Sequence, residues 1–146
     1  YAGVIEKENI SIEGDYPDFL LVNVYDYLDV YEIKKPTTLL LSKDASRANY
    51  FWSSEIARAI SQVENYMEEL QRHKDAFIND ARDNLGMEIR VVKPRAYIIA
   101  GLSAQLVGQR MRDDFQMLNR ALKNVEIILY DDLLKNLQNL LKRLRR

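Results

Sequence analysis

The sequence predicts an α/β fold, a mixed β-sheet flanked by helices. Three observations carry that expectation. Short apolar or alternating segments crowd the first 34 residues. Apolar residues at helical spacing dominate the middle and the end. Two more apolar runs of strand length, 96–101 and 125–130, stand between the later helices.

Residues 4–12 alternate loosely and read as a strand. Glu13-Gly14-Asp15-Tyr16-Pro17 reads as a turn, because Pro17 biases Tyr16 toward extended backbone. Residues 18–24 (DFLLVNV) form a buried strand, and 25–28 a hairpin turn. Residues 29–34 (DVYEIK) alternate and pair back as the next strand, which Lys35-Pro36 ends. Residues 37–52 lack periodicity and read as a connector. Ser53 or Ser54 then caps a helix whose buried stripe is Ile56, Ile60, Val63, Met67 and Leu70. Residues 74–85 continue or restart that helix, and Gly86 closes it. A core strand follows at 96–101. Residues 105–123 make a helix with Phe115, Leu118 and Leu122 on one face. A strand at 125–130 leads into a last helix that Asp131 caps and that runs through Leu144. The order is β-β-β-α-β-α-β-α. The leucines at 133, 134, 137, 140, 141 and 144 read first as core packing and second as an oligomer interface.

The chain has 146 residues and a formal net charge of -1, with 0 Cys and 1 His. One domain, 1–146, can bury a core at this length. The start at Tyr1 rather than Met predicts a piece of a longer chain lacking its N-terminal region. Cysteine nucleophiles, disulfides, iron–sulfur clusters and Cys/His zinc sites are excluded within the chain. A serine triad would need His73, which sits in the polar run Gln71-Arg72-His73-Lys74-Asp75 with no nucleophile elbow near it. Carboxylates, lysine and a hard metal remain. No run approaches the roughly 20 apolar residues of a membrane span. The lack of Cys fits a reducing, cytoplasmic compartment.

The most suggestive cluster is Asp18 with Glu32-Ile33-Lys34. Alternation puts Glu32 and Lys34 on one strand face and points Ile33 into the core. The hairpin brings Asp18 beside Glu32. Two neighbouring carboxylates favour a divalent cation, and Mg²⁺ suits them with a backbone carbonyl such as that of Ile33. A lysine two residues on can orient a water or stabilise a transferring phosphoryl group. The tripeptide alone is more often a solvated salt bridge. Gln62 and Tyr66, at i and i+4, share a helix face beside the apolar stripe.

Asp18, Glu32-x-Lys34 and Gln62-x-x-x-Tyr66 resemble the PD-(D/E)XK nuclease superfamily, and Pro17-Asp18 matches its naming dipeptide. More narrowly, PDFLLVNVYDYLDVYEIKKPTTLLL, SSEIARAISQVENYMEEL, KPRAYIIAG and FQMLNRALKNVEIILYDDLLKNL resemble the nuclease domain of the Shedu antiphage defence family, in the family's order. The resemblance implies a restriction-endonuclease-like core and a metal-dependent deoxyribonuclease using Mg²⁺, with Mn²⁺ as a substitute. It makes Asp18 and Glu32 metal ligands, Lys34 the catalytic lysine and Gln62 a supporting residue. It also implies a homo-oligomer. DNA would be held without strong sequence preference, with Lys35, Lys43, Arg47 and Arg58 as candidate backbone contacts. A catalytically idle DNA-binding and oligomerisation module is the alternative. Two departures stand out. The family often has Gly-Arg after the central core strand, where this chain has Gly101-Leu102. The superfamily's usual opening helix is not evident.

Overall fold

The computed structural model describes residues 3–7, 10, 16–44 and 48–145. The fold is α/β with a mixed sheet flanked by helices, as the sequence predicts. The chain divides into two compact units, 1–32 with 59–97 and 33–58 with 98–146.

In the first unit, β1 (Gly3–Glu6), β2 (Phe19–Val22) and β3 (Leu28–Ile33) form an antiparallel meander. Among the described residues the predicted first strand is observed over Gly3–Glu6, while residues 8–9 and 11–12 of it and the Glu13–Asp15 part of the predicted turn lie outside the described residues. The register sets Ile5 against Leu20 and Leu20 against Val30. All three are buried, because directly opposed residues share a sheet face. The hairpin turn spans residues 23–27, so β2 ends two residues and β3 begins one residue earlier than predicted. The Asn23 side-chain oxygen accepts the amides of Tyr25 and Tyr27, and Asp26 takes a left-handed φ of 72°. An Asx turn of this kind uses a short polar side chain in place of a backbone acceptor.

Helix α1 (Ser54–Arg72) crosses from the second unit into the first. Its buried face in the first unit is Ala59, Val63, Tyr66, Met67 and Leu70. His73 then interrupts the helix, exposed and 3.4 Å from Glu69. Helix α2 (Lys74–Leu85) restarts it and ends at Gly86, whose φ of 63° is the left-handed geometry glycine supplies without a Cβ penalty. The Tyr16 ring packs 5.8 Å from Phe77. Burial, and then the carboxylates of Glu69 and Asp80, hold the Tyr16 phenol above its ordinary pKa.

Strand β6 (Ala96–Ile99) lies beside β3 in the sheet order β1-β2-β3-β6-β7, where β7 is Val125–Ile128. As the donor advances from Val30 to Lys34, the acceptor advances from Arg95 to Ile99, so β3 and β6 run parallel.

The second unit corrects the expected connector. Residues 37–52 include a hairpin of β4 (Leu41–Lys43) and β5 (Tyr50–Trp52). Three-residue strands are too short to show a period. Helix α3 (Gly108–Ala121) packs on this hairpin through Trp52 and Phe115, whose rings meet edge to face at 5.7 Å. The predicted start at residue 105 is instead a 3-10 turn, Ser103–Gln105. The Gln105 side chain is engaged elsewhere, accepting the Leu40 amide and donating to the Thr38 carbonyl. Ser53, not Ser54, caps α1. Its hydroxyl accepts the Ile56 amide at 3.1 Å and donates to the Leu39 carbonyl. Asn119 of α3 clamps both backbone groups of Ile127, at 2.9 and 3.0 Å.

Helix α4 spans Tyr130–Leu144. Asp131 is not its cap, since the helix already begins at Tyr130. The Asp131 carboxylate instead accepts the amide and hydroxyl of Ser103. Those bonds hold its pKa below the ordinary value. A depressed carboxylate pKa stabilises the fold above the unfolded pKa, and that contribution vanishes as pH falls through the folded value. Asp131→Asn is therefore expected to flatten the acid limb of a urea-midpoint versus pH curve. An unchanged limb would assign the acid sensitivity to other groups. The core reading of the leucine stripe is also corrected. No α4 residue is buried, and Leu134, Leu137, Leu140, Leu141 and Leu144 are each at least half exposed. Helical periodicity shows that a face is apolar, not what covers it.

Candidate functional site

The candidate residues divide between the two units. Asp18, Glu32, Gln62 and Tyr66 belong to the first, and Ile33, Lys34, Lys35 and Arg58 to the second. Arg47 lies outside the described residues.

Asp18 immediately precedes β2. The last registered pair between β2 and β3 is Phe19 with Tyr31, so one more step sets Asp18 opposite Glu32. On the other side of β2, the last pair is Glu6 with Phe19, and the next step sets Lys7 opposite Asp18. The Lys7 amide donates to the Asp18 carbonyl at 3.2 Å. Lys7, Asp18 and Glu32 thus continue the face whose preceding row is Ile5, Leu20 and Val30. That continuity explains why Glu32 is only 6% exposed while Asp18 is half-buried. A carboxylate at such a depth is costly unless compensating charge or hydrogen bonding accompanies it.

The same alternation overturns one expectation. Leu28, Val30 and Glu32 share the buried face, so Ile33 points outward and is 41% exposed. Counting from Glu32 as a surface residue inverted the strand. The carboxylate is the buried member, and the isoleucine is not. On α1, Tyr66 joins the buried face whereas Gln62 is exposed.

In the second unit, Lys34 is half-buried at the end of β3, and its backbone is held from both sides. Its amide donates to Ile99 at 2.8 Å, and its carbonyl accepts the Tyr130 hydroxyl. The Lys35 carbonyl accepts the Gly101 amide at 3.2 Å. Lys35 and Arg58 have exposed side chains.

An open cleft in the first unit is lined by Glu6, Lys7, Asp18 and Phe19. Glu6 and Lys7 were not candidates from sequence. Their one detectable signal is the pairing of β1 with β2, and a loosely alternating segment does not fix its register.

Among the described residues, no group of three or more His, Asp or Glu forms a ready metal cage. The Asp18–Glu32 pair supplies hard oxygen donors only. Mg²⁺ commonly takes one or two carboxylates and keeps several waters, so the donor set fits that ion and not a soft one.

The model of the family described as Shedu protein SduA, C-terminal, matches residues 2–134. The chain belongs to this family. It is similar to the Shedu protein SduA of Bacillus cereus (strain B4264), 30% identical over 145 residues. That alignment covers 97% of this chain and 38% of the relative. The chain therefore spans under two-fifths of the length of the SduA protein it matches. The SduA family match contains every candidate residue named above, from Asp18 through Gln62 and Tyr66.

Proposed function

We propose that this chain is a metal-dependent deoxyribonuclease domain of a Shedu-type antiphage effector, hydrolysing DNA phosphodiester bonds. The observation that carries the reading is the position of Asp18 one step beyond the last β2–β3 pair, where the register continues to Glu32, with Glu32 buried, in a chain of the SduA C-terminal family. Asp18 and Glu32, with the Ile33 carbonyl, would hold Mg²⁺ or Mn²⁺. A divalent cation there supplies Lewis-acid polarisation of a phosphoryl oxygen and a water of lowered pKa.

The chain's own residues do the rest. Lys34 places or deprotonates the attacking water, and the hydrogen bonds on its amide and carbonyl keep its backbone in position. Gln62, exposed on α1, supports the site by orienting a phosphate. Lys35 and Arg58, with Arg47, contact the phosphate backbone without reading bases. The exposed leucine face of α4 supports a homo-oligomer. It also favours the second reading, an idle module of nuclease fold that binds DNA and self-associates.

Two measurements separate the readings. The protein with Mg²⁺ or Mn²⁺ is expected to cut linear or plasmid DNA at matched protein and DNA concentrations. Binding without cleavage would favour the idle module. In calorimetric titration with Mn²⁺, Glu32→Ala is expected to weaken the metal isotherm at least about tenfold, since half the carboxylate charge is removed. An unchanged isotherm would remove Glu32 as a ligand.

A further inference from the structure

Among the described residues, the cleft at the Asp18 end of the sheet contains one cation the proposed reaction does not use. Lys7 is exposed, lines that cleft with Glu6, Asp18 and Phe19, and is tied by its amide to the Asp18 carbonyl at 3.2 Å. The register sets it on the same row as Asp18 and Glu32, one strand further out. An acidic row repels a polyanion. A cation at its outer end offsets that repulsion where a strand would enter, at the edge strand and in open solvent. A lysine suits this position, because a compact charge on a flexible stem follows a phosphate without demanding fixed geometry. The half-buried Phe19 forms the apolar wall of the same cleft.

We propose that Lys7 is a DNA-positioning residue, holding a backbone phosphate of the bound strand in the cleft beside Asp18. This rests on the nuclease reading and adds to it the direction in which the strand leaves the carboxylates, over β1 rather than over β3. Glu6 makes the idea sharper. It lines the same cleft with opposite charge, so neutralising Glu6 and neutralising Lys7 must have opposite effects on DNA affinity.

The test is binding of a short DNA duplex to the 146-residue chain, followed by fluorescence anisotropy across a salt series with Ca²⁺ replacing Mg²⁺. Lys7→Gln is expected to weaken binding and to lower the slope of log K against log salt by about 0.9, the value for one phosphate contact. Lys7→Arg is expected to keep the slope. Glu6→Gln is expected to tighten binding. Lys93→Gln, an equal charge change at an exposed residue outside the cleft, is expected to leave the slope nearer to wild type. Equal slopes for Lys7→Gln and wild type would overturn the inference while leaving the nuclease reading intact. Equal losses for Lys7→Gln and Lys93→Gln would overturn it as well, by showing a general charge effect. A wild-type chain that binds no DNA would overturn both. Thermal melting of Lys7→Gln at the wild-type temperature excludes a folding defect, as its exposed side chain predicts.

Discussion

Lys34→Ala is expected to yield a folded protein whose Mg²⁺-dependent DNA cleavage falls by about 10²–10⁴-fold, the usual loss when a positioned proton-transfer or charge-stabilising group is removed. Folding should survive because the local structure at Lys34 is held by its backbone. Its amide bonds to Ile99 and its carbonyl to the Tyr130 hydroxyl, and alanine keeps both groups. The variant's circular dichroism and melting temperature should therefore match wild type. Lys34→Arg then sorts the two roles open to the lysine. A guanidinium keeps the charge but cannot give up a proton near neutral pH. A substantial rate in Lys34→Arg would make Lys34 a charge that places water, whereas a rate as low as that of Lys34→Ala would fit a proton acceptor. Full activity in Lys34→Ala would remove it from the reaction.

Gly101→Ala is expected to cost about 3 kcal/mol of stability, from strained backbone and from overpacking together. At this chain length that corresponds to a fall in melting temperature of roughly 10 °C. Two observations combine. Gly101 has a φ of +67°, in the left-handed region. An added Cβ would also lie 2.8 Å from Leu40 Cγ and Cδ2 and 3.0 Å from the Gln105 side-chain nitrogen. None of these can yield freely. Leu40 is fully buried, and Gln105 is committed to the Leu40 amide and the Thr38 carbonyl. The Gly101 amide and carbonyl also bond to Lys35 and Tyr130, so the backbone cannot rotate away without breaking both. Leu102→Ala, at a half-exposed neighbour with ordinary φ, should cost under about 1 kcal/mol. A Gly101→Ala protein that melts with wild type would show that the Leu40 packing is softer than its burial implies. Glycine is thus required at this position whether or not an arginine follows it, and the leucine that stands here leaves the turn itself unaltered.

Much of the fold was legible from one-dimensional pattern. The stripe of Val63, Met67 and Leu70 marked α1 because apolar side chains recur once per helical turn on the face that packs. The apolar runs of β2, β6 and β7 marked strands because they are too short for helices and contain β-branched or aromatic residues. Gly86 announced the end of α2 through the one backbone conformation it adopts most cheaply. Other features left no periodic trace. The β4–β5 hairpin is three residues per strand. Asp131 has the chemistry of a cap, and only a partner 28 residues earlier shows that its carboxylate is used on Ser103. The leucines of α4 carry a strong helical pattern and still face outward.

The candidate site shows the same division. Residue chemistry alone, with 0 Cys and 1 His, excluded cysteine nucleophiles and Cys/His zinc sites and left carboxylates, lysine and a hard metal as the favoured means, and local alternation tied Glu32 to Lys34 in one strand. Those statements depend only on what the side chains are and on a period of two, which short-range sterics enforce. Pairing between strands is a different kind of information. It set Asp18 across from Glu32, added Lys7 and Glu6 to the same end of the sheet, and turned Ile33 outward. Which face of a strand is buried depends on what packs against it, and a shift of one residue exchanges the two faces. No local rule within the strand can choose between them, so burial of the carboxylate and exposure of the isoleucine had to come from the packed sheet.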